Sequence, residues 1–194
     1  MYSLSMVTDS HNKGTSLALP PGLSPIRQKH WMNSRLALLK SVELSLLPSE
    51  EMNPESSILI EDHHSLKHNP KILASLAHTR GAACAVTTRL SEKMLAIGVD
   101  IEASNRIVNP DTLDKFLNKS DRTQGNSLEA WCVKEAAFKA ASYFWKRQKV
   151  FILKDIEIDL EKSMFKIPNL VEGFFESSIE DGFLRTVAIV NKLL

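Results

Sequence analysis

Neither sign of charge dominates this chain, in which 24 lysines and arginines stand against 23 aspartates and glutamates. So balanced a protein has no global field to draw it to nucleic acid or to an anionic membrane, and any anion site must be local. Long apolar runs are missing too. Residues 1–10 contain no lysine or arginine and no continuous apolar stretch, so neither a transmembrane segment nor a leader is expected, and a cytoplasmic chain follows by default. Cysteine is scarce. Cys84 and Cys132 lack both C-x-x-C spacing and a nearby histidine, which argues against a metal knuckle or a redox pair and predicts two buried free thiols.

What is present is a globular composition. Of 194 residues 43% are apolar, enough for one sizeable core or two small lobes sharing one. Residues 1–23, with Gly14-Thr15-Ser16 and Pro20-Pro21-Gly22, fit neither periodic template and predict an irregular lead-in. Ser24-Pro25 reads as an N-cap followed by proline at the first helical position. Ile26, Trp31, Leu36, Leu38, Leu39, Val42 and Leu46 then recur with helical spacing as far as Pro48, the first helix.

Residues 57–61 have the character of a short strand, and the His- and Asn-rich residues 62–70 that of a loop. Adjacent histidines on an extended segment face opposite ways, so His63 and His64 are expected to be solvated rather than to share an ion. Residues 81–88 and 94–101 flank the polar connection 89–93 and predict a β-hairpin. A second helix is expected over 127–145, where Ala130, Ala136, Ala137, Ala140 and Ala141 allow a neighbouring element to come close. From Ile156 to Val190 apolar stretches alternate with polar breaks, the pattern of an antiparallel meander of three or four strands. No segment repeats another by residue identity, yet each half supplies a long helix and several strands.

In Gly98-Val99-Asp100-Ile101-Glu102 the two carboxylates lie two apart on an expected strand, which sends both to one face. Like charges held so close repel unless a cation sits between them. Taken alone, the segment also reads as a solvated strand face with ordinary surface acids. In Trp131-Cys132-Val133-Lys134-Glu135-Ala136-Ala137-Phe138-Lys139, helical spacing puts Trp131, Glu135 and Lys139 on one face, and by itself this is an ordinary Glu-to-Lys surface pair. Together Asp100, Glu102 and Glu135 offer three carboxylates to a hard cation such as Mg2+, with room for waters and phosphates, and Lys139 can offset phosphate charge. Upstream, Ala77-His78-Thr79-Arg80-Gly81 sets a histidine and further donors beside a glycine that permits close backbone approach, an arrangement suited to a second phosphate.

The ordered series Ala77-His78-Thr79-x-Gly81, Gly98-Val99-Asp100-Ile101-Glu102 and Trp131-x-x-Lys134-Glu135-Ala136-x-x-Lys139 closely resembles the signature of the 4′-phosphopantetheinyl transferase superfamily, in particular its larger, pseudo-dimeric class. The resemblance is strongest over residues 73–141, and three motifs in order are far more specific than one. It implies an α/β (α+β) fold of two similar lobes, each a long helix on a small, mostly antiparallel sheet, here over 24–97 and 98–194, with coenzyme A in the cleft between them. It implies transfer of the phosphopantetheine arm of coenzyme A to a serine of an apo acyl or peptidyl carrier protein, leaving adenosine 3′,5′-bisphosphate. Asp100, Glu102 and Glu135 would then be magnesium ligands, and His78 would contact the 3′-phosphate with Thr79 beside it. Lys139 would neutralise the diphosphate, and Glu135 would be the candidate general base. Nucleotide-holding cations of the first lobe would come from Arg27, Lys29, Arg35 or Lys71.

The sequence departs from the family in starting with a Pro/Gly-rich stretch where larger members begin with a strand. Its 116–131 segment is compact, and Lys146-Arg147-Gln148-Lys149-Val150 replaces a glycine-bearing turn. These regions bear on which carrier docks. A two-lobed monomer is the simplest expectation. Two rival readings remain at this stage: a magnesium-dependent phosphoesterase that activates water with the same acids, and a catalytically silent carrier-binding homologue.

Overall fold

A computed structural model of the chain describes residues 1–9, 17–46, 50, 58–61, 64–91, 94–144 and 151–191. Among them lie strands β1 (Ser3–Thr8), β2 (Ile60–Glu61), β3 (Ser65–Leu66), β4 (Asn69–Thr79) and β5 (Ala82–Arg89), and helix α1 (Pro25–Ser45). The second half contributes β6 (Met94–Ala103), α2 (Pro110–Phe116), α3 (Ser127–Ala141), β7 (Glu157–Asp159), β8 (Met164–Ile167), β9 (Val171–Glu180) and β10 (Phe183–Asn191). The fold is therefore mixed α and β, with two antiparallel sheets.

Local chemistry sets the helix ends. Ser24 Oγ accepts from the Arg27 N–H and Pro25 fills the first turn of α1, where its missing donor costs nothing. Asn109 caps α2 and Asn126 caps α3 in the same way.

The two sheets have one topology. The first runs β1-β5-β4-β3-β2 and the second β6-β10-β9-β8-β7, each a strand, a long helix (preceded in the second half by the short α2) and then four strands whose last returns beside the first. Even the turns correspond: the Asp9 N–H donates to the Gly81 carbonyl at 3.0 Å, and the Ser104 N–H to the Gly182 carbonyl at 2.8 Å. Gly81 and Gly182 both take positive φ, at 92° and 80°, the conformation that glycine adopts without steric cost.

The core is layered. On one side of the first sheet Val7, Ile72, Ala74 and Ala85 meet Leu36, Ala37, Leu38 and Val42 of α1. Its other side (Leu73, Ala77, Cys84, Val86) packs on Val99, Ile101, Val187 and Ile189 of the second sheet. Beyond that, Ala96, Ala188 and Val190 meet the alanine face of α3. Gly98 makes the last contact close, since a Cβ there would lie 2.1 Å from the Ala136 carbonyl oxygen. Cys84 and Cys132 are buried and free. Among the described residues no helix is long and apolar enough to cross a membrane.

Three expectations need correction. Residues 1–23 are not wholly irregular: Ser3–Thr8 is an edge strand of the first sheet, so the first half begins with a strand after all. Its Ser, Leu, Met, Val and Thr hide the strand signal because one side packs under α1 while the other meets the second sheet. Strands β5 and β6 form no hairpin: β5 pairs with β1 and β4, and β6 pairs with β10. They lie in different sheets packed face to face, and the true hairpin is β4–β5, turning at Arg80-Gly81. The stretch 62–70 contains β3 and the start of β4. Strand β6 starts at Met94, as its apolar stretch predicts, and so runs across the 97/98 boundary expected between the lobes. His63 and the 145–150 segment lie outside the described residues.

Candidate active site

Strand β6 alternates as its sequence demands. Val99 and Ile101 enter the apolar layer between the sheets, while Gly98, Asp100 and Glu102 face α3. Beside Gly98 the helix rides almost on the strand, which brings Glu135 and Lys139, one and two turns along from Trp131, over the two carboxylates. Lys139 Nζ donates to Asp100 Oδ1 at 2.9 Å and to the Val99 carbonyl at 2.8 Å. Because β6 is an edge strand, Val99 has backbone groups that no neighbouring strand satisfies. Its N–H instead donates to Ser75 Oγ of β4 at 3.1 Å, so both sheets hold the strand that bears the acids.

Glu102 has three neighbours, Thr79, Arg106 and Trp131, the last through a side-chain hydrogen bond to the carboxylate. Thr79 Oγ1 donates to Glu102 Oε2 at 3.1 Å, carrying the end of β4 to the site. Arg106, in the turn after β6, makes an ion pair with Glu102 Oε1, and its guanidinium lies over the Trp131 ring at 5.4 Å. Trp131 is itself held edge-on by Phe116 at 5.1 Å. On the other side of β4, His78 stacks on His30 of α1 with centroids 4.8 Å apart.

The charges feel one another. Glu135 is pushed above the ordinary glutamate range, first by burial, with Lys139 pulling down and Asp100 and Glu102 adding to the rise. Glu102 is raised by burial and by Asp100, against the opposing pull of Arg106. His78 is held below the usual imidazole range by partial burial, then by the charges of His30 and Lys139, with Asp100 opposing. His78, Asp100, Glu102, Glu135 and Lys139 therefore share one electrostatic neighbourhood, as linked motifs require.

The remaining expected residues fall differently. Arg27 is exposed one turn before His30 on α1, while Arg35 lies over Trp31 at 5.6 Å, about 140° around the helix from His30. Lys29 pairs with Asp9 at 2.7 Å. Lys71 lies near the start of β4. Seven residues along a strand span roughly 23 Å, so it sits toward the opposite end of β4 from His78. His64 is no free loop residue: it packs edge-on to Tyr143, and its Nε2 lies 3.4 Å from Ser142 Oγ.

Sequence reasoning missed Arg106 and the role of Lys134. Lys134 is wholly buried and pairs with Asp121 at 2.7 Å, also donating to the Ile156 and Leu153 carbonyls. Asp121 in turn accepts from the Asn118 and Ile158 N–H groups at 2.8 and 3.0 Å. The pair ties the 118–122 and 153–158 segments to α3. A signal was present: Lys134 stands four after Ala130 and three before Ala137, on the apolar face.

Magnesium takes oxygen ligands at octahedral spacing and keeps several waters. The donor set here is carboxylate only, and Asp100 Oδ2 is buried with no hydrogen-bond partner of ordinary geometry among the described residues, its nearest polar company being the weakly donating Cys132 thiol. A buried carboxylate oxygen so weakly partnered beside two further acids calls for positive charge, so the residues fit such an ion by chemistry. Among the described residues no three potential ligands converge on one point, and Lys139 and Arg106 hold two of the acids. Compared with protein-family models and with curated proteins, the chain matches none.

Proposed function

We propose that this chain transfers the 4′-phosphopantetheine arm of coenzyme A to a serine hydroxyl of an apo acyl or peptidyl carrier protein. The observation that carries this reading is the meeting of all three motifs at one place. Thr79 reaches Glu102, Lys139 reaches Asp100, and Glu135 and His78 sense the same charges. The duplicated sheet-and-helix topology supports a two-lobed fold of that superfamily, with the nucleotide between the lobes. The reading carries with it a cytoplasmic, monomeric enzyme with no nucleic-acid or membrane partner.

In the reaction the serine oxygen forms a bond to the phosphorus bearing pantetheine. The bridging P–O bond to the adenosine bisphosphate breaks and its electron pair leaves with that phosphate. Glu135, raised by burial among like charges, is a stronger base than an ordinary glutamate and is placed to take the serine proton. Lys139 and His78 offer positive or donor groups to the two ends of the nucleotide. A magnesium ion held by Asp100, Glu102 and Glu135 would stabilise charge on the diphosphate.

The test is to incubate the protein with coenzyme A, magnesium and a panel of apo carriers and to weigh the carriers. A gain of one phosphopantetheine, absent with Glu135→Gln, supports transfer. Unchanged carriers with hydrolysed coenzyme A point to a phosphoesterase, and carrier binding without either reaction to a silent homologue.

A further inference from the structure

Three carboxylates in one partly buried cluster need counter-charge whether or not an ion is bound. Lys139 supplies one unit at Asp100. The other comes from Arg106, outside every motif that suggested the site. It stands in the turn after β6, where its N–H donates to the Ala103 carbonyl at 2.9 Å and the neighbouring Ser104 N–H is tied to Gly182. The turn thus has a fixed backbone, while the Arg106 side chain is 40% exposed against 12% for Glu102. A planar guanidinium on the Trp131 ring and a carboxylate at its edge make a positioned contact, yet a half-exposed side chain can swing into solvent at modest cost.

We propose that Arg106 is an internal counter-ion that latches the acid cluster by occupying Glu102, and that a divalent cation binds only as it displaces the guanidinium from Glu102 and the Trp131 face. This rests on reading the cluster as a cation site, which the all-carboxylate donor set supports, together with a buried Asp100 Oδ2 that has no partner stronger than the Cys132 thiol. The latch keeps Glu102 compensated when no ion is present. It lowers apparent ion affinity by the fraction of time it is closed, and it frees a cation at the site mouth as the metal enters.

The experiment is calorimetric titration of the full-length protein with magnesium chloride, comparing wild type, Arg106→Ala and Arg106→Lys, with Trp fluorescence followed in parallel. An exposed ion pair with a cation–π contact should hold the closed arrangement about tenfold over the open one. Arg106→Ala should therefore bind magnesium about tenfold more tightly. Arg106→Lys, which keeps the charge but not the planar stack, should also bind more tightly than wild type. The magnesium-induced fluorescence change of wild type, as the guanidinium leaves Trp131, should be lost in Arg106→Ala. Equal affinities of wild type and Arg106→Ala would overturn the latch while leaving the cation site intact. Arg106→Lys matching wild type while Arg106→Ala tightens would also overturn it, because charge alone would then explain the effect. Absence of magnesium binding by all three proteins would overturn the latch and the cation site together.

Discussion

Gly98→Ala is the sharpest test of how the fold makes the site. The added Cβ would lie 2.1 Å from the Ala136 carbonyl oxygen and 2.6 Å from the Ala140 amide nitrogen, and both obstacles are helix backbone, which cannot rotate aside. To restore an ordinary contact α3 must retreat from β6 by about 1 Å, and overpacking of this kind costs about 1–3 kcal/mol. The upper end is expected because the alanine face of α3 is fully buried against the sheet and has no slack. For a chain of this size that is a fall in Tm of about 6–12 °C. The same shift carries Glu135 and Lys139 away from Asp100 and Glu102, and a misplacement near 1 Å can cost about a hundredfold in rate. Urea unfolding gives the stability term, and carrier modification at a temperature where the variant is folded gives the rate. A variant within 0.5 kcal/mol of wild type, roughly the ordinary range for a surface substitution, would refute the claimed closeness of helix and strand.

Other predictions follow from the buried charges. Lys134→Met strands Asp121 in the core and should cost about 3–5 kcal/mol. Lys134→Met combined with Asp121→Leu should recover part of that loss in urea melts, and additive losses would refute the pairing. Glu135→Gln should raise Tm at neutral pH while abolishing transfer. The folded-state pKa of Glu135 is raised by burial, so its contribution to stability is fully present below the ordinary glutamate range and is lost as pH rises through the raised value. The Tm gap between variant and wild type should therefore close on acidification, and a gap that widened would contradict the sign. Both thiols are buried and pushed up, Cys84 to about 12, so a disulfide reagent at mildly alkaline pH should titrate neither until the chain is unfolded.

Much of the fold could be read locally. The caps at Ser24 and the alanine run of α3 announced the two long helices, and polar breaks after Ile156 announced the meander. Pairing could not be read in this way. β5 and β6 are both apolar on two sides because one face of each meets a helix and the other meets the opposite sheet, and that erases the alternation by which a hairpin is recognised. β1 escaped notice because Ser3 and Ser5 look like loop residues, although the Ser3 carbonyl accepts from buried Ser41 Oγ. The site divides similarly. Asp100, Glu102, Glu135 and Lys139 were legible because strand and helix periods place them on single faces. Arg106 was not, since its contact with Glu102 is made by an irregular turn, and Lys71, offered as a first-lobe cation from a polar stretch, lies instead near the start of β4.

The duplicated topology explains why, among the described residues, the matching strand of the first half carries no such acid cluster. Counting back from the matching turns, with Thr8 opposite Ala82 and Ala103 opposite Phe183, Val7 corresponds to Glu102 and Ser5 to Asp100. In the first half Val7 is 1% exposed beneath α1, where burying its side chain is favourable with no partner at all. A carboxylate at that position would need the counter-charge that Lys139 and Arg106 supply in the second half. On the other side of the comparison, His78 and Thr79 of β4 correspond to Ile179 and Glu180 of β9, and Ile179 is left 69% exposed. The matching positions thus differ in kind: the paired acids stand on β6 and the histidine at the end of β4. The two meet where Thr79 touches Glu102, so a site that needs both anion and cation ligands can form at this one junction and not at its counterpart.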